Sequence, residues 1–170
     1  MPDRVKEAVF NILGSRYECP AALPPLLVAD VFAGSGSMGL EALSRGVAWC
    51  SFFEHDQHAL DALRRNIQSL GAEGASTIII RDAWRSAVSN ADGGRFDLVF
   101  LDPPYRDSRD SSERGPVRQY LARFDRLGDK GTLIVLHHPS KVRYEAREAD
   151  SWQIVDQRTF GTSAITIFAR

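Results

Sequence analysis

Short apolar runs that alternate with helix-spaced segments constrain this chain more than any other feature. "LLVADVF" (Leu26 to Phe32) is apolar almost throughout, as a strand buried on both faces must be. "AWCSFFEHD" (Ala48 to Asp56), "STIIIRD" (Ser76 to Asp82), the apolar part of "RFDLVFLDPPY" ending near Asp102, and "GTLIVLHHP" read as four further strands. Ahead of the first strand, "RVKEAVFNIL" (Arg4 to Leu13) sets Val5, Val9, Ile12 and Leu13 at helical spacing, with Asp3 as its expected cap. Between strands, "SMGLEALSRG" is a helix closed by Gly46, and "HALDALRRNIQSLG" is a second that ends at Gly71. The polar "RDSRDSSERGPVRQ" is expected to be a mobile loop that runs into the helix "VRQYLARFDRL". "WQIVDQRTF" and "SAITIFAR", joined around Gly161, predict a closing hairpin.

This order predicts an α/β fold: a Rossmann-like, doubly wound sheet, mostly parallel, with one antiparallel strand supplied by the C-terminal hairpin. Ligands of such sheets bind beyond the C-terminal strand ends. Gly34, Glu54, Asp82 and Asp102 each fall at or just past such an end, so the fold should gather them along one edge. The length of 170 residues suits one domain over 1–170, with 1–25 as N-terminal helix and linker. Hydrophobic residues at 44% and charged residues at 25% fit a soluble globular chain. There is no apolar run of about 18 residues, no secretory signal in "MPDRVKEAVF", and no CxxC pairing of Cys19 with Cys50, so a reducing, cytoplasmic setting is expected. A formal net charge of -1 argues against a strongly basic nucleic-acid protein, although an averaged charge hides patches.

"AGSGSMG" (Ala33 to Gly39) fits G-x-G-x-x-G, a loop that brings bare backbone close to a ligand. In a dinucleotide enzyme the helix N-terminus takes the pyrophosphate and a carboxylate such as Glu54 takes the ribose hydroxyls. S-adenosylmethionine, an adenosine without phosphate, needs the same loop and the same carboxylate, which can grip both vicinal hydroxyls. The loop alone does not separate these readings from a strand-to-helix turn without a ligand. Asp82 can accept from an adenine amine while the Ala83 N–H meets a ring nitrogen; alone, Asp82 is as simply explained by capping a helix after it. Beside Glu54, the adenine role is preferred.

"LDPPY" (Leu101 to Tyr105) decides between the ligands. Two consecutive prolines stiffen the turn and leave Asp102 extended. The Asp102 side chain and the Pro103 carbonyl can then both accept from one planar NH2 group. Tyr105 offers a flat face for a base, a contact of roughly 1–3 kcal/mol. A nicotinamide-dependent oxidoreductase has no use for this corner, and the chain offers no evident Tyr-x-x-x-Lys pair.

Asp102-Pro103-Pro104-Tyr105 resembles the (Asn/Asp)-Pro-Pro-(Tyr/Phe/Trp) motif of S-adenosylmethionine-dependent amino-group methyltransferases. "DVFAGSGSMGLEALSRG" (Asp30 to Gly46) and "DRVKEAVFNIL" (Asp3 to Leu13) are similar to one subgroup, the RsmD-like 16S rRNA guanine-N2 methyltransferases. The resemblance implies a class I methyltransferase fold, S-adenosyl-L-methionine as cofactor, and transfer of its methyl group to a guanine N2 amine. The implied partner is 16S rRNA or a small-subunit assembly particle; a monomer with no metal and no membrane partner is expected. Phe32, Ala33, Gly34, Ser35 and Gly36 would line the methionine and ribose, and Asp30 would hold the loop and the methionine amino end. Glu54, with His55 beside it, would take the ribose, and Asp82 with Ala83 the adenine. Asp102, Pro103, Pro104 and Tyr105 would grip the base. Arg106, Arg109, Arg114 and Arg118 could meet phosphates, though the interleaved Asp107, Asp110 and Glu113 fit a solvated loop equally well.

The adjacent His137 and His138 should face opposite sides of a strand, and His55 with His58 lacks further ligands, so no metal site is expected. Family members usually carry a basic hairpin before the "DRV" helix; here Met1 stands at an internal family position, so that hairpin is expected to be absent. Competing readings are an amino-methyltransferase acting on DNA adenine or cytosine or on a protein glutamine, an NAD-dependent oxidoreductase, and a non-catalytic RNA-binding module.

Overall fold

A computed structural model describes residues 1–85, 95–124, 131–146 and 151–170. Its strands are β1 (Leu27–Val31), β2 (Trp49–Glu54), β3 (Ser76–Ile80), β4 (Leu98–Leu101), β5 (Leu133–Pro139), β6 (Gln153–Phe160) and β7 (Ser163–Ala169). They form one seven-stranded sheet in the order β3-β2-β1-β4-β5-β7-β6. Neighbours among β1 to β5 pair in parallel, whereas β7 is antiparallel to both β5 and β6. One reversed strand closing a parallel sheet is the arrangement that the sequence predicts. The strand order turns back beside β1, between β2 and β4, which makes the end of β1 the place where a crevice opens.

The pleat sorts side chains into two layers. Val28, Phe100 and Val135 pack with Val9 and Phe10 of α1 (Asp3–Arg16) on one face, together with α2 (Ser37–Ser44) and α3 (Gln57–Ser69). Ala29, Val99 and Ile134 pack with Val117 and Tyr120 of α5 (Pro116–Phe124) on the other. Leu101 and Leu136 are the last ladder pair of β4 and β5, and both belong to the α5 layer. The next residue of each strand, Asp102 and His137, therefore turns toward the α1 side, where Asp30 of β1 also points. His138 takes the opposite face, with its ring 5.0 Å from that of Tyr144.

Three expectations change in detail. Asp3 does not cap α1: Pro2 holds the cap position without a side-chain bond, and Asp3 sits in the first turn, where its charge faces unpaired N–H groups. The segment after Tyr105 is not a plain loop. It opens with α4 (Tyr105–Ser108), because the Pro104 carbonyl accepts the Asp107 and Ser108 N–H groups at 2.8 and 3.2 Å. The helix expected from Val117 begins at Pro116, and positions 125–127 of that expectation lie outside the described residues. Among the described residues no helix is long and apolar enough to cross a membrane.

Helix α2 rests directly on β2 because Gly39 has no side chain. A Cβ there would lie 2.4 Å from a Phe52 ring carbon and 2.5 Å from the Cys50 sulfur. Phe52 and Cys50 are fully buried, so neither can move aside. Gly39→Ala should therefore lower unfolding free energy by about 1–3 kcal/mol in urea denaturation. Gly74→Ala, where a Cβ meets nothing within 4 Å, should change it little. Equal stability of the two variants would contradict this packing.

Candidate active site

The chain leaves β1 through a loop with three left-handed residues, Phe32 (φ 63), Gly34 (φ 55) and Gly36 (φ 84). Glycine adopts this conformation freely, whereas Phe32 is strained by about 1–3 kcal/mol. Phe32 is held there with its ring 4.8 Å from that of Trp84. The loop is tied on both sides. The Ala33 N–H donates to the Phe53 carbonyl at 3.1 Å, and Asn66 Nδ2 donates to the Ser35 carbonyl at 2.9 Å. A Cβ on Gly34 would meet nothing within 4 Å, so the space over the loop is open to a ligand.

Two carboxylates organise this loop. Asp30 is buried, and its Oδ2 accepts the Gly39 N–H of α2 at 2.8 Å. Burial pushes its pKa up to about 7; the Gly39 N–H opposes the shift, and the Asp102 and Glu54 charges add to it. Glu54 Oε2 accepts the Gly34 N–H at 2.9 Å, while Oε1 accepts the His55 and Asp56 N–H groups at 2.7 and 2.9 Å. An ionised carboxylate has about four acceptor positions, so this backbone cradle leaves about one, on Oε2. Glu54 can thus take one further donor without disturbing the loop, and a grip on two hydroxyls would require Gly34 to let go. The His55 side chain is exposed beside it, with Nδ1 3.7 Å from Glu54 Oε1.

Asp82 lies past the end of β3, where its Oδ1 accepts the Trp84 N–H at 2.9 Å and its Oδ2 stands 3.4 Å from Arg85 Nε. It therefore does the local turn-forming work that the sequence also allowed. Ala83 is buried beneath it.

Asp102, Pro103, Pro104 and Tyr105 bend from the end of β4 into α4. The Asp102 N–H donates to the Val31 carbonyl at 3.2 Å, so the corner is fastened to the strand that carries the glycine loop. Asp102 Oδ1 lies 2.7 Å from His137 Nδ1, and Oδ2 lies 3.0 Å from the Met1 nitrogen. Oδ2 is thus taken by the Met1 nitrogen. Burial raises the Asp102 pKa, but the hydrogen bond and charge of His137 and the Met1 ammonium outweigh it. The net shift is below the ordinary carboxylate value. Among the described residues no donor is bonded to the Pro103 carbonyl. The Tyr105 hydroxyl lies 3.1 Å from His137 Nε2 and 2.7 Å from Ser163 Oγ.

The fold brings Asp30, the 32–36 loop, Glu54 and Asp102–Tyr105 to one edge. His137 and Ser163 join them and were missed by the sequence reading. Applying the strand-end rule to the fifth strand would have found His137; Ser163 needed the β7 register. Arg118 leaves the arginine set, since it donates to the Glu145 carbonyl and lies over the Tyr144 ring. Arg106 pairs with Asp107, while Arg109 and Arg114 are exposed.

A family model described as conserved hypothetical protein 95 matches residues 1–169. YlbH of Bacillus subtilis is 28% identical over 170 residues, which are 99% of this chain and 85% of that protein. Ribosomal RNA small subunit methyltransferase D of Haemophilus influenzae is 36% identical over 104 residues, or 61% of this chain and 51% of that protein. That match spans about half of the relative's length. A solved conserved hypothetical protein from Streptococcus pyogenes superposes with a TM-score of 0.79 at 28% identity, covering 97% of this chain and 94% of that one. Solved methyltransferases at lower identity share the fold, which is that of the class I methyltransferases.

The Asp30 shift makes stability depend on pH. Asp30 holds its proton more tightly when folded (about 7) than when unfolded (3.8). Its contribution to stability is therefore full below the unfolded value and is lost as pH rises through the folded one. Asp30→Asn keeps an acceptor for the Gly39 N–H and removes the ionisation. In urea denaturation the variant should gain on the parent as pH rises from about 4 to about 7. A constant difference across that range would contradict the burial account.

Proposed function

The chain belongs to the family described as conserved hypothetical protein 95, and on that premise we propose that it transfers a methyl group from S-adenosylmethionine to the exocyclic N2 amine of a guanine in small-subunit (16S) rRNA. The observation that carries this reading is the Asp102–Val31 hydrogen bond, which fastens an amine-accepting corner beside a glycine loop and a ribose-type carboxylate. The name of the Haemophilus relative supports rRNA as the substrate class. Soluble, cytoplasmic action as a monomer on rRNA or on an assembly particle completes the proposal.

The chain's residues fit the methyl donor: open space at Gly34, an acceptor position on Glu54 Oε2, and an acidic side chain, Asp82, at the next strand end. When bound, S-adenosylmethionine supplies an electrophilic methyl group on a sulfonium. Gly34 and the neighbouring loop residues hold its ribose and methionine, Glu54 takes a ribose hydroxyl, and Asp82 with Ala83 reads the adenine. Asp102 Oδ2, once the target amine displaces the Met1 nitrogen from it, and the Pro103 carbonyl accept the two N–H groups of that amine, and Tyr105 stacks the base. Accepting both N–H bonds localises a lone pair that is otherwise delocalised into the purine. These residues would hold the amine nitrogen toward the methyl group of the bound donor, and the proton given up by the methylated nitrogen would pass to solvent. Because that proton becomes acidic only after methylation, no strong base is needed. Asp102, held ionised, stabilises the positive charge growing on nitrogen. Positioning remains the larger contribution, worth roughly 7–11 kcal/mol of a barrier. Arg106, Arg109 and Arg114 are exposed cations after the corner that can meet phosphates.

Radiolabelled methyl transfer to 30S particles lacking the modification tests the reading, with naked rRNA and DNA in parallel. The wild-type protein should label the rRNA of the particles, and Asp102→Ala should lose about 100-fold to 1,000-fold in rate. Full activity of that variant would contradict the mechanism, and label in DNA alone would contradict the substrate.

A further inference from the structure

The Asp-Pro-Pro-Tyr corner is braced from the neighbouring strand. His137, with 3% of its surface exposed, stands on β5 one step beyond the Leu101–Leu136 ladder pair. Its Nδ1 lies 2.7 Å from Asp102 Oδ1 and its Nε2 lies 3.1 Å from the Tyr105 hydroxyl. A single imidazole therefore spans the first and last residues of the motif. The Tyr105 hydroxyl continues to Ser163 Oγ at 2.7 Å, and Ser163 is fixed by its ladder pairing with Pro139 of the same strand β5.

An ionised carboxylate only accepts, so Asp102 requires the proton on His137 Nδ1. His137 Nε2 and the Tyr105 hydroxyl make the second link, and the Tyr105 and Ser163 hydroxyls the third; each of these can form with either atom as the donor. Each polar atom has a partner. The Asp102 carboxylate can no longer rotate without breaking a buried bond, and its Oδ2 stays turned away from His137. The Tyr105 ring is held at its far end, 5.4 Å from the imidazole and tilted by 59°.

We propose that His137 is a positioning residue for the methyl transfer: through Nδ1 it holds Asp102 with Oδ2 on the side that meets the Met1 nitrogen, where the substrate amine takes that nitrogen's place, and through Nε2 it fixes the plane of Tyr105. The proposal rests on the methyl-transfer function and adds a residue from β5 to it. A ring that merely filled space between β5 and α4 would affect folding. A ring that sets two substrate-facing groups affects turnover.

The test measures kcat and KM on 30S particles lacking the modification, S-adenosylmethionine affinity by calorimetry, and thermal stability. The proteins are wild type, H137A, H137N, Y105F, S163A and H137A/Y105F. H137A should lose about 100-fold in kcat, as a misplacement near 1 Å can cause. Its KM and cofactor affinity should stay within about threefold of wild type. H137N, whose amide N–H can replace the Nδ1–H toward Asp102, should recover at least about tenfold of that loss. S163A should lower kcat less than H137A does, and Y105F should cost little more once His137 is gone, because the two act through one contact. Wild-type turnover in H137A would overturn the proposal. So would an H137N no better than H137A, additive effects of H137A and Y105F, or a kcat loss matched by lost cofactor affinity and stability. If H137A does not fold, wild-type turnover in both Y105F and S163A decides against it. A wild-type protein inactive on particles, rRNA and DNA would overturn the methyl-transfer reading, and the role of His137 with it.

Discussion

Three hydrogen bonds at the end of β1 hold the candidate site together. The Val31 carbonyl takes the Asp102 N–H, the Ala33 N–H reaches the Phe53 carbonyl, and the Gly34 N–H reaches the Glu54 carboxylate. They are possible because Val31 is in register with Phe53 of β2 on one side and Leu101 of β4 on the other. A slip of one residue in either ladder would turn the slipped strand's side chains to the opposite layer and separate them from the loop. The parallel register is therefore what turns distant segments of sequence into one edge.

That edge gathers negative charge, and each carboxylate is managed differently. Asp30 is buried against the start of α2 and holds its proton up to near neutrality. Glu54 is surrounded by backbone N–H groups, and Asp102 is paired with His137 and the Met1 nitrogen. A pyrophosphate brought here would add like charge to an acidic edge, whereas a sulfonium brings the opposite charge. It is the proline corner, fastened through Asp102 to the end of β1, that weighs against the dinucleotide reading the glycine pattern invites.

Much of this was legible in the sequence because it depends on local pattern. Apolar runs gave the strands, Gly46 and Gly71 gave helix ends, and the strand-end rule gave Gly34, Glu54 and Asp102 as neighbours. What was not legible depends on register. His137 looked like an ordinary strand histidine until its ladder position beside Asp102 was known, and Ser163 belongs to a hairpin far along the chain. Arg118 was open to a phosphate or to a solvated loop, but its place on α5 turns it toward Tyr144. Glu54 was legible as an acceptor, but its prior commitment to Gly34, His55 and Asp56 was not. The left-handed turn at Phe32 carries no sequence signal either, since nothing in a phenylalanine announces a positive φ.

The central claim is that the glycine loop and the Asp102 corner form one site, with a nucleoside on one side of β1 and an amine acceptor on the other. The most direct measurement is a crystal structure of the protein soaked with S-adenosylhomocysteine. The account predicts a ribose hydroxyl on Glu54 Oε2 and the sulfur facing the Asp102–Tyr105 turn. A nucleoside seated away from Gly34 and Glu54, or a sulfur directed to the far side of the sheet from Asp102, would contradict it.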